Sequence, residues 1–405
     1  MSIPHLFRCP ISLDLFTDPV TLCTGQTYDR PSIERWLADG NLTCPVTMQR
    51  LRDPSLVPNH TLRHLVDQWL LTDPDGPSPH DPPAIPPVAD AAFSLPTLAH
   101  ILRSPAASVD TKLETLRKIR TLSLESDVGQ SCLIQLGFFP LLLQVLFLHP
   151  SSSHDQDLVE LALDCVLSLS PSTHSSSLDV LMEAPSLASL VALLEDGSTK
   201  IKTSLCYLLE AITASPRSEE LCLVVGQTPR VLRALLSLLG DLSSATASDA
   251  AARAISGLCS LEPNRVGAVG EGAVDALVAY LARSDRRGAA RAALATMEQL
   301  AGTDGVGGGA LLGNPNAVRV LVKMVFRVSD DGVGCEHAVG ALLAVCRSSG
   351  RARAEAVTAG ALTQLLLLLQ SQCGSKAKNK ARALLKLLSS VCVHDHDPTM
   401  GTSLP

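Results

Sequence analysis

The sequence contains 405 residues with a net charge of −7, and 46% of its residues are hydrophobic while only 3% are aromatic. This length allows two or three domains, and the acidic balance excludes a general attraction to nucleic acid or to an anionic membrane. Because aromatic residues are scarce, leucine and alanine must fill the core, which favours packed helices over a β-sandwich.

The first part of the chain has the pattern of a small mixed domain. Residues 18–28 alternate around a Thr-Gly pair and predict a short β-hairpin. Asp29 is predicted to cap a helix that begins near Pro31 and ends at Gly40, and Asn59 is predicted to cap a second helix. One face of the first helix carries apolar residues at i, i+3 and i+4: Ile33, Trp36 and Leu37.

A domain this small normally needs a staple such as zinc, and zinc needs pairs of ligands at C-x2-C spacing. Cys9, Cys23 and Cys44 each lack a second ligand three residues later, where the sequence has Ser, Gln and Thr. Three single cysteines cannot form two four-ligand sites. The sequence therefore predicts no metal here, with the loops held by hydrogen bonds and ion pairs among Asp, Arg, Ser, Thr and Asn side chains.

The run FRCPISLDLFTDPVTLCTGQTYDRPSIERWLADGNLTCPVTMQRL, continued by LVPNHTLRHLVDQW, resembles the U-box, the zinc-free relative of the RING domain. The resemblance implies an E3 ubiquitin ligase that docks a ubiquitin-charged E2 enzyme and promotes direct transfer of ubiquitin to a substrate lysine. It implies no covalent ubiquitin intermediate, no catalytic residue and no cofactor. The E2 enzyme would contact four residues: Ile11, Leu13, Trp36 and Pro45.

An E2-docking surface needs a rigid apolar patch with an aromatic residue near its centre. The alternative is that Leu13 and Trp36 are ordinary core residues, whereas Ile11 and Pro45 lie in predicted loops that have no helical stripe. One position departs from the family pattern. Many U-boxes have a cation three residues after the proline of the second loop, and this chain has Met48 there. A methionine cannot donate the hydrogen bonds of a guanidinium, which affects activation rather than docking.

The chain then changes composition. Residues 77–94 are rich in proline and predict an extended linker, with a docking motif for proline-binding modules as the alternative. The predicted boundaries are a U-box domain over 1–76, the linker over 77–94, a repeat region over 95–393 and a disordered tail over 394–405.

A leucine phrase, Leu-Leu-x-x-Leu or a close variant, recurs through the repeat region at intervals of 48, 45, 42, 44 and 44 residues. Its copies begin at Leu142, Leu190, Leu235, Leu277, Leu321 and Leu365. A helical repeat near 44 residues lies in the armadillo/HEAT range. Gly-Ala-Val and Gly-Ala-Leu at residues 272–274 and 360–362 resemble the armadillo pattern, in which glycine lets the first two helices turn sharply. The expected fold is thus mainly α: a small α+β U-box followed by an α-solenoid of about six repeats.

The solenoid is expected to hold a protein substrate in the groove formed by its third helices. Recognition of nuclear-import peptides is disfavoured because both tryptophans, Trp36 and Trp69, lie in the U-box. The glycines at 305 and 307–309 lack the Gly-Lys-Ser/Thr ending of a phosphate loop and predict a flexible loop between helices. A basic cluster is interpreted as a solvated face, or as a contact for an acidic partner or a lipid head group: Lys376, Lys378, Lys380, Arg382 and Lys386.

The twelve cysteines occur singly, mostly in apolar helical runs, and predict buried, reduced thiols. The sequence shows neither a signal peptide nor a run of about 20 apolar residues that could span a membrane. We therefore expect a cytoplasmic protein, with a peripheral pool at plasma-membrane complexes or in the nucleus as further options.

The arrangement of a U-box before armadillo repeats resembles the plant U-box/armadillo family, which implies E2, ubiquitin and a substrate such as a signalling kinase or receptor complex as partners. By that resemblance the setting would be plant immune and stress signalling. The alternative function is a non-catalytic adaptor with a degenerate U-box. The resemblance leaves homo-oligomerisation open.

Overall fold

The computed structural model describes residues 4–70, 95–125, 127–147, 156–169, 175–283, 287–303, 306–327 and 334–394. The chain divides into two compact units, Met1–Leu169 and Ser170–Pro405, and each is described by itself. The predicted linker over 77–94 and the predicted tail after residue 394 lie outside the described residues. The proposed domain boundaries therefore stay predictions.

The first unit begins with a 3₁₀ turn, His5–Phe7, and a three-stranded sheet. Its strands and helices are β1 Pro19–Thr21, β2 Thr27–Asp29, α1 Arg30–Ala38, β3 Val57–Pro58, α2 His60–Leu70, α3 Leu95–Arg103, α4 Val109–Glu125, α5 Asp127–Gln135, α6 Phe138–Phe147 and α7 Gln156–Ser168. Strand β1 lies in the middle and pairs antiparallel with both neighbours, so that Val20 lies opposite Tyr28 and Pro58. The predicted hairpin is confirmed, and Gly25 in its turn has a φ of 79°.

Helix α1 follows β2 directly, but its predicted cap is wrong in one respect. Asp29 occupies the N-cap position without a side-chain bond to the helix. Its carboxylate instead accepts hydrogen bonds from Thr17 N and Asp18 N at 2.8 and 2.7 Å, and from Thr17 Oγ1 at 2.8 Å. These donors compete successfully because they hold the preceding loop, which has no regular structure to satisfy its backbone. Asn59 behaves as predicted, since its Oδ1 accepts from Leu62 N at 3.0 Å.

The second unit is helical throughout its described residues. It contains α8 Ser175–Leu178, a 3₁₀ turn Asp179–Met182, α9 Ala184–Asp196, α10 Thr199–Thr213, α11 Glu219–Gly226, α12 Pro229–Gly240, α13 Ala245–Cys259, α14 Glu262–Gly270, α15 Ala273–Arg283, α16 Arg287–Ala301, α17 Val306–Gly313, α18 Ala317–Arg327, α19 Gly334–Ser348, α20 Gly350–Thr358, α21 Ala361–Gln370 and α22 Ser375–His394.

These helices recur in threes, a short first helix, a second helix and a longer third helix. Each leucine phrase begins within a second helix: α6, α9, α12, α15, α18 or α21. Between first and second helices the chain bends by 70° to 79° in three cases. Gly137, Gly272 and Gly360 stand at such corners with φ between 77° and 87°, a conformation that glycine adopts without strain. The predicted period of the repeats is confirmed.

The prediction of a flexible loop at the glycines 307–309 is wrong. They lie in helix α17, and a Cβ at Gly307 would overlap the Leu300 carbonyl oxygen of helix α16. The glycines thus allow two helix backbones to approach closely, which composition alone does not reveal.

The cysteines whose side chains the structure describes are free thiols, and all of these except Cys23 are buried, as predicted. Among the described residues no single helix is long and apolar enough to span a membrane; only bent helix pairs reach that length and hydropathy together.

Candidate functional site

Two loops of the first domain have the same structure. In the first, Cys9 N donates to Asp14 O and Leu13 N donates to Cys9 O, both at 2.8 Å. In the second, Cys44 N donates to Gln49 O and Met48 N donates to Cys44 O, both at 2.9 Å. Each loop is closed by an antiparallel bridge, Arg8 to Leu15 and Thr43 to Arg50. Residues 8–15 and 43–50 are thus the same loop used twice, 35 positions apart in the sequence.

Each loop holds a large apolar residue in a strained conformation. Leu13 has a φ of 64° and Met48 a φ of 57°, the left-handed region that costs a residue with a Cβ about 1–2 kcal/mol. Both side chains are exposed, 67% for Leu13 and 74% for Met48. Such strain, persisting at exposed apolar residues, indicates a functional surface rather than a contribution to the core.

The two loops are anchored on consecutive residues of β2. Asp29 N donates to Cys9 Sγ at 3.3 Å. Cys44 Sγ lies 3.0 Å from the Tyr28 hydroxyl and accepts from Thr24 Oγ1 at 3.3 Å. The Tyr28 hydroxyl also accepts from Val46 N at 3.2 Å, so one buried side chain holds the second loop at two points.

These contacts set the chemistry of the buried groups. Burial raises the pKa of Cys44, but hydrogen bonds from Thr24, Thr47 and Tyr28 outweigh it and bring that pKa down to about 6. Burial, followed by the bond to Cys44, raises the pKa of Tyr28. Within the described residues no three His, Cys, Asp or Glu side chains are placed to hold a metal ion.

The four predicted E2-contact residues fall in two classes. Ile11 and Leu13 are exposed on the first loop, whereas Pro45 and Trp36 are half-buried. The Trp36 indole Nε1 donates to Thr43 O at 2.9 Å, which fixes helix α1 against the second loop. Trp36 therefore supports that loop and also presents part of its ring to solvent.

Sequence reasoning missed three further exposed apolar residues beside this site. Val46 and Leu42 are 51% and 52% exposed, and Met48 more so. Val46 and Met48 occupy the loop positions of Ile11 and Leu13. The signal was available in the sequence, because CPISLD and CPVTMQ share the pattern Cys-Pro-apolar-hydroxyl-apolar-polar.

A second site, which is polar, lies on the third helices of the unit Ser170–Pro405. Glu298 of α16 accepts from Lys380 of α22 at 2.7 Å, and its other oxygen lies 2.7 Å from His337 Nδ1 of α19. Lys380 also reaches Glu336 at 3.1 Å. Burial raises the pKa of Glu298, but the bonds to His337 and Lys380 bring it below its ordinary value. The carboxylate passes over α19 at Gly340, where a Cβ would overlap it.

On the third helices of earlier repeats, Arg253 of α13 bonds to Glu210 of α10 at 2.9 Å. Its guanidinium also lies 5.6 Å from the centre of the Tyr207 ring, which is 37% exposed. The third helices therefore present paired charges and one aromatic residue, a surface suited to a polar protein partner rather than to a small apolar ligand.

Comparisons with known proteins match both parts of the chain. The U-box domain family matches residues 3–74, and the plant U-box protein ARM repeat region matches residues 98–398. U-box domain-containing protein 26 of Arabidopsis thaliana is 36% identical over 402 residues, which cover 96% of this chain and 92% of that protein. E3 ubiquitin-protein ligase PUB23 of the same plant is 29% identical, covering 96% and 94%.

A solved structure described as "A conserved phosphorylation switch controls the interaction between cadherin and beta-catenin in vitro and in vivo" matches with a TM-score of 0.60 and 15% identity. The match covers 73% of this chain and 55% of that one. At this identity the similarity concerns the fold alone, and it agrees with the armadillo arrangement of the helices.

Proposed function

The chain belongs to the plant U-box proteins with an armadillo-repeat region, and from this premise we propose that its paired loops dock a ubiquitin-charged E2 enzyme. Relatives with the same organisation are named E3 ubiquitin-protein ligases, and the chain accordingly acts as a U-box E3 ubiquitin transferase. The observation that supports E2 docking is the pair of loops whose exposed apolar residues are held in strained backbone conformations.

In this mechanism the U-box forms no bond to ubiquitin. It accelerates transfer by holding the E2 thioester in a reactive geometry, while the armadillo helices hold a protein substrate and raise the local concentration of its lysines. A cytoplasmic location, a role in plant immune or stress signalling, and a kinase or receptor complex as the substrate belong to the same proposal.

The test is a chain-building assay with E1, a panel of E2 enzymes and ubiquitin. Leu13→Ala removes an exposed anchor without opening a core cavity, so we expect at least a tenfold loss of chain building, the size typical of an interface hot spot. Ile11→Ala should act in the same direction. Val57→Ala is the matched control, because Val57 is 62% exposed but lies on β3, outside the loops. Equal activity of the Leu13 and Val57 variants would contradict E2 docking by the loops.

Met48 bears on the rival function, a non-catalytic adaptor. The site where many U-boxes place a cation is occupied by this exposed methionine. Met48→Arg supplies a donor there and should raise chain building several-fold at a saturating concentration of E2 enzyme, where a change in E2 affinity no longer limits the rate. If neither the wild type nor Met48→Arg builds chains with any E2 enzyme, the adaptor function replaces the ligase.

A further inference from the structure

The second helices of consecutive repeats pack against one another, α12 against α15, α15 against α18 and α18 against α21, and we assign this packing to one stripe of three positions on each helix. These positions lie three residues before the first leucine of the phrase, one residue after it and four residues after it. In α12, α15 and α18 every residue at these positions is apolar and at most 9% exposed: Leu232, Leu236 and Leu239; Val274, Val278 and Leu281; Val318, Val322 and Val325.

Helix α21 keeps the leucines but exposes them. Leu366 is 54% exposed, against 9% for its counterpart Leu236, and Leu362 and Leu369 are half-buried. The next position holds Leu367, 40% exposed, where α12 has Ser237. In the described part of the chain no further repeat packs on this side. A surface patterned for helix packing is therefore left open to solvent.

Helix α22 lies beside α21 and adds cations to the same side. Lys380 points toward the preceding repeat, since it bonds to Glu336 of α19. Residues two positions away on a helix point in nearly the opposite direction, which places Lys378 and Arg382 on the side that faces away from α19, with Leu385 one turn beyond Arg382 on the same stripe. The sequence between residues 350 and 394 contains seven Lys and Arg residues and one acidic residue, Glu355, so this segment is basic in a chain whose net charge is −7.

We propose that this terminal face docks an amphipathic helix of a partner protein, with leucine-like residues along one stripe and Asp or Glu on its flanks. The terminal face consists of Leu362, Leu366, Leu369, Leu385, Lys378 and Arg382. The leucines of the terminal face correspond to the stripe that is buried in the inner repeats. Lys378 and Arg382 would pair with Asp or Glu residues on the flanks of the partner helix. A second copy docked through the same face would bring these cations against each other, so charge complementarity favours an acidic partner over a dimer.

The test uses the full chain and a fluorescein-labelled synthetic peptide of about 18 residues, long enough to form a helix. The peptide carries leucines at i, i+4, i+7 and i+11 with glutamates on both flanks, and a second peptide replaces the glutamates with lysines. By fluorescence anisotropy, we expect the acidic peptide to bind the wild type at least tenfold more tightly than the basic one. Leu366→Asp should weaken that binding at least tenfold, whereas Leu242→Asp, at an 80% exposed leucine elsewhere, should not change it.

The charge requirement is tested by the double variant Lys378→Glu/Arg382→Glu, which should reverse the preference between the two peptides. Equal binding of both peptides, or acidic-peptide binding that Leu366→Asp leaves unchanged, would overturn the proposal. So would a concentration-dependent dimer, seen by light scattering, that Leu366→Asp abolishes, because the second copy would then be the occupant. Binding is measured without E1 or E2, so the result does not depend on the proposed ligase activity.

Discussion

Buried cysteines show how differently the U-box and the armadillo helices are held together. Cys44 in the U-box is fully buried, yet three hydroxyl groups bring its pKa down to about 6. Cys206 and Cys259 in the armadillo helices are equally buried, and burial among apolar residues raises the pKa of each to about 12. Cys44 is thus a hydrogen-bond acceptor, whereas Cys206 and Cys259 fill space among apolar side chains.

The reason is the size of the two cores. The U-box has one small sheet and two helices, so its loops depend on side-chain hydrogen bonds, in particular those of Asp29, Tyr28 and Asn59. The armadillo helices bury leucine and alanine along every packed face and need few polar links. Small cores need such reinforcement because they bury a smaller fraction of their surface.

Removing core volume from the armadillo helices should have the largest effect on stability. Leu342 of α19 is fully buried, and Leu342→Ala should lower the free energy of unfolding by about 4 kcal/mol because a cavity remains. Both tryptophans of the chain, Trp36 and Trp69, lie in the U-box. The loss should therefore appear in the far-UV circular dichroism transition and leave the tryptophan fluorescence transition in place. Leu242→Ala, at an exposed leucine, is the control, and a shift of the fluorescence transition alone would contradict the comparison.

Removing the Asp29 carboxylate from the U-box should have a somewhat smaller effect on stability, and this effect should appear in the tryptophan fluorescence transition. Asp29→Ala leaves Thr17 N, Thr17 Oγ1 and Asp18 N without their acceptor and should destabilise the U-box by about 3 kcal/mol. The fluorescence transition in urea measures this loss. Asp53→Ala serves as the matched control, because that carboxylate is exposed and, among the residues that the structure describes, bonds to Ser55 alone, where water can replace it. Equal effects of the two substitutions would show that the U-box does not depend on the Asp29 contacts.

The two kinds of cysteine should give pH effects of opposite sign. The pKa of Cys44 is lower in the folded state than its ordinary value of 9.0, so its contribution to stability is complete above pH 9 and is lost as the pH falls through about 6. The pKa values of Cys206 and Cys259 are raised, so their contribution is complete below pH 9 and is lost as the pH rises through about 12.

Urea unfolding followed by tryptophan fluorescence between pH 6 and pH 9 should therefore show the wild type gaining stability relative to Cys44→Ser. Serine keeps a hydrogen-bonding group at this position but does not ionise in that range. A difference between the two proteins that stays constant with pH would exclude a titrating Cys44.

Local patterns gave reliable predictions where a residue's neighbours in the sequence decide its structure. The hairpin around Gly25, the cap at Asn59 and the leucine phrases at a period near 44 residues were all predicted, because each depends on residues within a few positions. The bonds of Asp29 are not predicted because its partners, Thr17 and Asp18, lie twelve and eleven residues earlier and come close only when the loop folds.

The candidate site was predicted in part. Ile11 and Leu13 are exposed on the first loop, as an anchor requires, but their role in E2 binding stays a prediction. The role of the second loop is not predicted, because the sequence marks Met48 only as the position of a missing cation, whereas the fold makes it the counterpart of Leu13. The positive φ of Leu13 and Met48 has no signal in residue type, because leucine and methionine are not among the residues enriched in that conformation, and only the folded loop reveals it.

The ion pair between Glu298 of α16 and Lys380 of α22 crosses α19 at Gly340 and so connects third helices of three successive repeats. In repeat proteins the contacts ordinarily connect nearest-neighbour repeats only. Links to the second neighbour suppress fraying from the end, because releasing α22 also strips a half-buried carboxylate on α16 of its counter-ion. In hydrogen exchange, the amides from α16 to α22 would then open as one cooperative block rather than in succession from the chain end.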